Sequence, residues 1–172
     1  MNQYPHWPNL AAMMFGLSRR WPDRPLLRSY HNGGWHGLTW GEFARRAAAV
    51  ARGLRAAGVA AGERVLIVSE NRPEYPAVET ALLAIRAVPV PAYVTNTPAD
   101  HAHLLRDSGA RVAVVSTPEL AQRVLEGARR GDGLDLLVTM APCEVPGVTV
   151  VPWDRLVEDR APADDIAWEA EH

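Results

Sequence analysis

The sequence predicts an α/β fold, a doubly wound and mostly parallel sheet with helices on both faces, preceded by a small N-terminal helix and β-hairpin. Three observations predict it. Short apolar runs rich in β-branched residues recur as RVLIVS (64–69), RVAVVS (111–116) and LDLLVTM (134–140), the composition of strands buried on both faces. Between them lie stretches with apolar residues at helical spacing, opened by Thr or Pro and closed by Gly. Strand and helix alternate, and such units close through right-handed crossovers into a parallel sheet.

Each element has its own local reason. Asn9 caps a first helix through LAAMMFGLSRR, WPDRP ends it, and LLRSY is a short strand that the Asn32-Gly33-Gly34 turn folds back onto a second. Thr39 and Glu42 stand at capping-box spacing before a helix whose Phe43, Ala47, Val50 and Leu54 share one face and which Gly58 stops. After the 64–69 strand, a helix from about Pro73 to about Ala87 starts at Asn71 or Arg72 and carries Val78, Leu82 and Ile85 on one stripe. Pro76 is tolerated only near its start. VPVPAYV follows as an extended segment whose two prolines predict an edge position. Thr97, Pro98 and Asp100 open another helix, closed by Gly109, and Thr117-Pro118 opens one running to about Arg130. GVTVVPW supplies a last strand, and DRLVEDRAPADDIAWEAEH reads as a helical turn and a polar tail. The expected boundaries are 1–160 for the α/β unit and 161–172 for the tail.

Composition narrows the chemistry. The 172 residues are 48% hydrophobic, enough for one core, and a formal charge of -2 with a pI near 6.3 gives no general pull toward nucleic acid. No lysine occurs, so all 18 basic residues are arginine. A phosphate-loop lysine, a Schiff base and an amine base are therefore excluded within these residues, because arginine stays protonated. Cys143 is the sole cysteine, which excludes an intrachain disulfide; without a nearby histidine in sequence it reads as a loop thiol. MNQYPHWPNL lacks a signal pattern and no apolar run has membrane-spanning length, so the expected location is the cytoplasm. The Asn9–Arg20 helix offers peripheral membrane contact as the lesser reading, since its polar face is not strongly basic.

In open α/β sheets ligands gather at the carboxyl ends of strands, here Ser69–Arg72, Tyr93–Thr97, Ser116–Pro118 and Thr139–Cys143. Ser69-Glu70-Asn71-Arg72-Pro73 stands where a dinucleotide fold needs G-x-G-x-x-G, which argues against NAD and FAD. Asn71 with Arg72, and Thr95 with Asn96 and Thr97, have the groups to hold an anion, but capping accounts for Asn71 and Thr97 and surface pairing for Arg72. His101 and His103 are two apart, the wrong spacing for a helical metal pair. Glu70 and Glu74 have i, i+4 spacing, yet Glu74 suits the helix dipole better than acid-base work. Ser69, Ser108 and Ser116 lack the G-x-S-x-G elbow. Trp7, Trp21, Trp35, Trp40, Trp153 and Trp168 are dispersed and read as core and rim packing. No catalytic, cofactor-binding or metal residue is assigned.

One resemblance organises these negatives. Thr39 to Phe43, Gly53 to Val65, Asn71 to Glu74, Val90 to Tyr93 and Leu105 to Ala110 resemble, in order and spacing, T-W-x-E-F, G-L-x-x-x-G-V-x-x-G-x-R-V, N-x-P-E, V-P-x-Y and L-x-D-S-G-A. These are motifs of the N-terminal part of AMP-forming acyl-CoA synthetases, most like the long-chain fatty acid CoA ligases. The resemblance implies ATP-dependent adenylation of a carboxylic acid and thioester formation with coenzyme A, with magnesium, in a longer parent. It places the phosphate loop just beyond Asp164-Asp165-Ile166-Ala167, so the chain reads as a scaffold fragment inactive alone. The remainder of the parent would be its partner, and an uncovered apolar face predicts self-association. Family members carry Ala-Gly before the V-P-V-P strand, whereas Ile85-Arg86-Ala87 leads straight into Val88; a two-residue shortening is expected to disturb that strand's register. The alternative is a non-catalytic binding or interaction module with the same fold.

Overall fold

The computed structural model describes residues 6–143 and 145–172. The reading of Met1–Pro5 and the loop position Glu144 lie outside the described residues. In chain order the elements are α1 (Leu10–Arg20), β1 (Pro25–His31), β2 (Gly34–Thr39), α2 (Trp40–Ala56), β3 (Arg64–Val68), α3 (Glu74–Ala84) and β4 (Val88–Ala92). Then come α4 (Pro98–Ser108), β5 (Val112–Val115), α5 (Pro118–Ala128), β6 (Leu136–Thr139), β7 (Thr149–Pro152), α6 (Trp153–Leu156) and α7 (Asp164–Glu171).

Alternating side chains in the apolar runs decide the layers. Val65, Ile67, Val112, Val114, Leu136 and Val138 enter one cluster with residues of α1, α2, α3 and α7. Leu66, Val68, Ala113, Val115 and Leu137 enter the other, against α4 and α5. Period-two alternation thus feeds two cores, and the sheet needs helices on both faces. Burial of Leu66, Ile67 and Leu137 is complete, worth roughly 1.5–3 kcal/mol for each such side chain.

All five core strands pair in parallel in the order β4-β3-β5-β6-β7. This is a doubly wound order whose direction reverses between β3 and β5. β4 is an edge, as its prolines require. Val88 N–H donates to Glu63 O at 2.8 Å, so alternation turns the nitrogens of Pro89 and Pro91 away from β3. A missing N–H there costs the ladder nothing and blunts the edge against further pairing. β1 and β2 form the separate hairpin, turned at Asn32 (φ 52°) and Gly33 (φ 78°), the paired positive φ of a type I′ turn.

Both capping boxes are present: Thr39 with Glu42 opens α2, and Thr97 with Asp100 opens α4, which Gly109 closes in the left-handed conformation. α3 opens at Pro73 as expected, with Tyr75 N–H donating to Arg72 O at 3.0 Å, but no side chain caps it. Three expectations are corrected. α3 ends earlier than Ala87. Arg86, at φ 61°, closes it with Arg86 N–H on Leu83 O (3.1 Å) and Ala87 N–H on Leu82 O (2.9 Å), the two bonds of a Schellman motif. The β3–β4 register is regular from Arg64↔Val88 to Val68↔Ala92, so the absent Ala-Gly step does not disturb it.

The third correction concerns 161–172. The expected polar tail is α7, with Ile166, Ala167 and Ala170 buried in the first cluster. Ions fasten it: Arg52 reaches Asp159 and Asp165, Arg55 and Arg86 meet Glu169, and Arg19 meets Glu171. Asn9 Nδ2 donates to Ala170 O at 2.7 Å, joining the start of α1 to the end of α7.

Candidate functional site

The reversal between β3 and β5 opens the position where this topology ordinarily receives a ligand. The residues following those strands meet there. Ser116, fully buried, donates its hydroxyl to the Glu70 carboxylate. Arg72 Nε donates to Glu74 Oε2 at 2.9 Å, and its Nη1 approaches Ser116 O at 3.4 Å. Residues 70, 72, 74 and 116 therefore form one polar bridge over the strand ends. Burial pushes the Glu74 carboxyl up, but the Arg72 hydrogen bond and charge outweigh it and hold the group below its ordinary value.

Clefts flank this bridge. The hairpin overhangs one of about 790 Å³, bounded by His31, His36, Arg46, Glu70, Arg72 and Thr117 among others. His31 and His36 stack on each other on the hairpin, with centroids 3.8 Å apart. A second cleft, of about 630 Å³, lies between Ser69–Asn71, Tyr75 and Pro91–Val94. Tyr93 stands exposed at its rim.

The candidate anion-holding groups divide. Arg72 is at the crevice but engaged by Glu74 and the Ser116 carbonyl, and Asn71 caps no helix. Thr97 is used as the α4 cap, accepting from Asp100 N–H at 3.3 Å. Thr95, Asn96 and Thr97 line neither of the two clefts beside the bridge. The turn after β3 offers a carboxylate, Glu70, where phosphate would need amides, so these residues do not fit a nucleotide triphosphate or its magnesium. Among the described residues no group of three or more His, Cys, Asp or Glu side chains is placed to hold a metal. No helix among them is long and apolar enough to cross a membrane.

Sequence reasoning missed two buried polar groups. His101 is fully buried and neither ring nitrogen has a partner among the described residues; burial holds its pKa down, with Asp100 opposing and Arg123 adding to the shift. Thr139, at the end of β6, also has a hydroxyl without a partner among the described residues. The i, i+4 spacing of His101 and Leu105, both buried on α4, was the available signal. Cys143 is half-buried against the α4/α5 cluster, as a loop thiol should be. Trp35 and Trp168 depart from core packing and stand exposed.

A family model described as AMP-binding enzyme matches residues 17–168. The chain belongs to the AMP-binding enzyme family. Within that family it is 38% identical over 118 residues to long-chain-fatty-acid–CoA ligase FadD15 of Mycobacterium tuberculosis, a match covering 69% of this chain and 20% of the relative. It is 40% identical over 108 residues to feruloyl-CoA synthase of an Amycolatopsis species, covering 60% and 22%. Against sulfoacetate–CoA ligase of Cupriavidus necator the identity is 28% over 143 residues, covering 83% and 27%. The chain thus spans about a fifth to a quarter of the length of these AMP-binding relatives. A benzoate CoA ligase from Burkholderia xenovorans superposes with a TM-score of 0.70 at 29% identity, covering 89% of this chain and 29% of that one. A coronafacic acid ligase from Pectobacterium brasiliense, at 17% identity and a TM-score of 0.76, covering 90% and 30%, shows the shared fold.

Proposed function

We propose that this chain is the N-terminal scaffold of a fatty-acid-activating member of the family, and that it does not form acyl-adenylate by itself. The observation that carries the reading is the crevice at the sheet reversal. There the AMP-binding enzyme fold presents Glu70, Arg72, Glu74 and Ser116 bound to one another, with no glycine-rich turn and no lysine in the sequence. In this reading ATP, magnesium, coenzyme A and the acid are handled by parts of a longer parent, and this unit supports them from below. The parent is cytoplasmic, and the remainder of it is this chain's main partner. Preference for a fatty acid over an aromatic or sulfonated acid is supported by the 38% identity to FadD15 over 69% of the chain. The feruloyl and sulfoacetate relatives supply the competing acids for a test.

The test has two arms. ATP–pyrophosphate exchange by the chain with palmitate should stay at background, and exchange above background would overturn the inactive-scaffold reading. The native polypeptide carrying this sequence, captured with an antibody to it, should activate palmitate in preference to ferulate and sulfoacetate. Preference for either competitor would overturn the fatty-acid assignment.

A further inference from the structure

We propose that a slot between α1, α2 and α7, separate from the clefts that flank the polar bridge, binds a small amphiphile carrying a carboxylate on an apolar tail. The slot holds about 360 Å³, within the range of ligand pockets. Its floor is apolar: Phe15, Ala44 and Ala167 are buried in the first cluster, with Ala163 packed against it. Ser18, also in the wall, is buried and already donates to Met14 O at 2.8 Å. Nothing polar on the floor calls for water.

The mouth is cationic. Arg19, Arg45 and Arg160 reach it, with the carboxylate of Asp164 in the same lining, and Arg45 and Arg160 also border the adjoining cleft that holds Glu42, Asp154 and Asp159. Arg19 is engaged by Glu171. Arg45 and Arg160 make no salt bridge among the described residues, although acids are close in sequence. Glu42 instead accepts the Thr39 N–H at 2.8 Å, and Asp159 accepts Arg52 Nε at 2.5 Å. Two unpaired guanidiniums above an apolar floor match a carboxylate head, which they bind by charge-assisted hydrogen bonds, with its tail in the slot. The occupant is a single dispersed acyl carboxylate; a lipid bilayer is the competing source of the same chemistry.

Decanoate and decanol, titrated into the chain below their aggregation limits and followed by amide NMR shifts, separate the cases. Decanoate should perturb Ala44, Ala163 and Ala167 and bind about ten-fold more tightly than decanol, the effect of one charge-assisted contact. The exposed double substitution R45Q/R160Q should reduce decanoate to the affinity of decanol while the thermal melt stays in place. Equal affinities in the unaltered chain, a preference surviving R45Q/R160Q, or shifts elsewhere would overturn the proposal. So would binding to phosphatidylglycerol vesicles without binding to dispersed decanoate.

Discussion

Arg86 offers the sharpest test of the local energetics. It holds φ 61° at the end of α3, where a Cβ is crowded, and that conformation costs a non-glycine residue roughly 1–2 kcal/mol. Glycine removes the crowding but gives back about 0.5–1 kcal/mol through its larger unfolded-state entropy. Arg86→Gly also loses the contact to Glu169, but that lies at 3.7 Å with the Arg86 side chain 66% exposed, and Glu169 keeps Arg55. Solvent screening leaves such a pair worth roughly 0–0.5 kcal/mol. The net expectation is a gain of about 0.5 kcal/mol, or roughly 1–2 °C in Tm for a domain of this size. Arg86→Ala is the control, because it loses the same ion contact and keeps the strained backbone. Urea unfolding should rank Arg86→Gly above the unaltered protein and Arg86→Ala at or slightly below it. If glycine proves no more stable than alanine, the strain argument is wrong.

Three further outcomes follow from packing and charge. Because burial lowers the folded-state pKa of His101 below 6.5, the unfolded chain binds the proton first, and stability should fall as pH drops below 6.5 toward the folded value. His101→Leu should flatten the contribution, up to about 1.4 kcal/mol per pH unit, in urea melts between pH 5 and pH 7; an unchanged slope would assign it to other groups. Gly127→Ala places a methyl 2.7 Å from Pro98 O and 2.9 Å from Ala102 N, so it should destabilise by about 1–3 kcal/mol despite alanine's better helix propensity. Arg52→Ala removes the bonds to Asp159, Ala161, Pro162 and Asp165 together, and should speed amide exchange in α7 while leaving the β3 and β5 amides protected.

What was legible in the sequence is what is local. Thr39 with Glu42 and Thr97 with Asp100 are three residues apart, and their reciprocal bonds need nothing from the rest of the chain. The paired prolines of β4 announced an edge because the missing donors can be tolerated nowhere else in a sheet. α7 was not legible, since Ile166, Ala167 and Ala170 make a narrow apolar stripe on an acidic segment. Its helix is held by arginines more than 100 positions away, Arg52 to Asp165 being 113 apart and Arg55 to Glu169 being 114. The polar bridge over the strand ends was hidden for the same reason. Ser116 and Glu70 are 46 residues apart, and only the pairing of β3 with β5 brings them together.

That bridge also explains why the strand ends carry so much polarity. A doubly wound sheet leaves a gap where its winding reverses, because the connections leave β3 and β5 toward opposite faces. Left empty, the gap would expose the apolar carboxyl ends of two strands. Ligand-binding folds fill it with a cofactor, whereas this chain fills it with side chains of its own. Ser116 and Glu70 tie the two loops, and Arg72 carries the link back to Glu74 at the start of α3. A bound anion would have to break the Arg72–Glu74 pair and face the Glu70 carboxylate, so the arrangement favours a closed crevice with the open clefts displaced to either side.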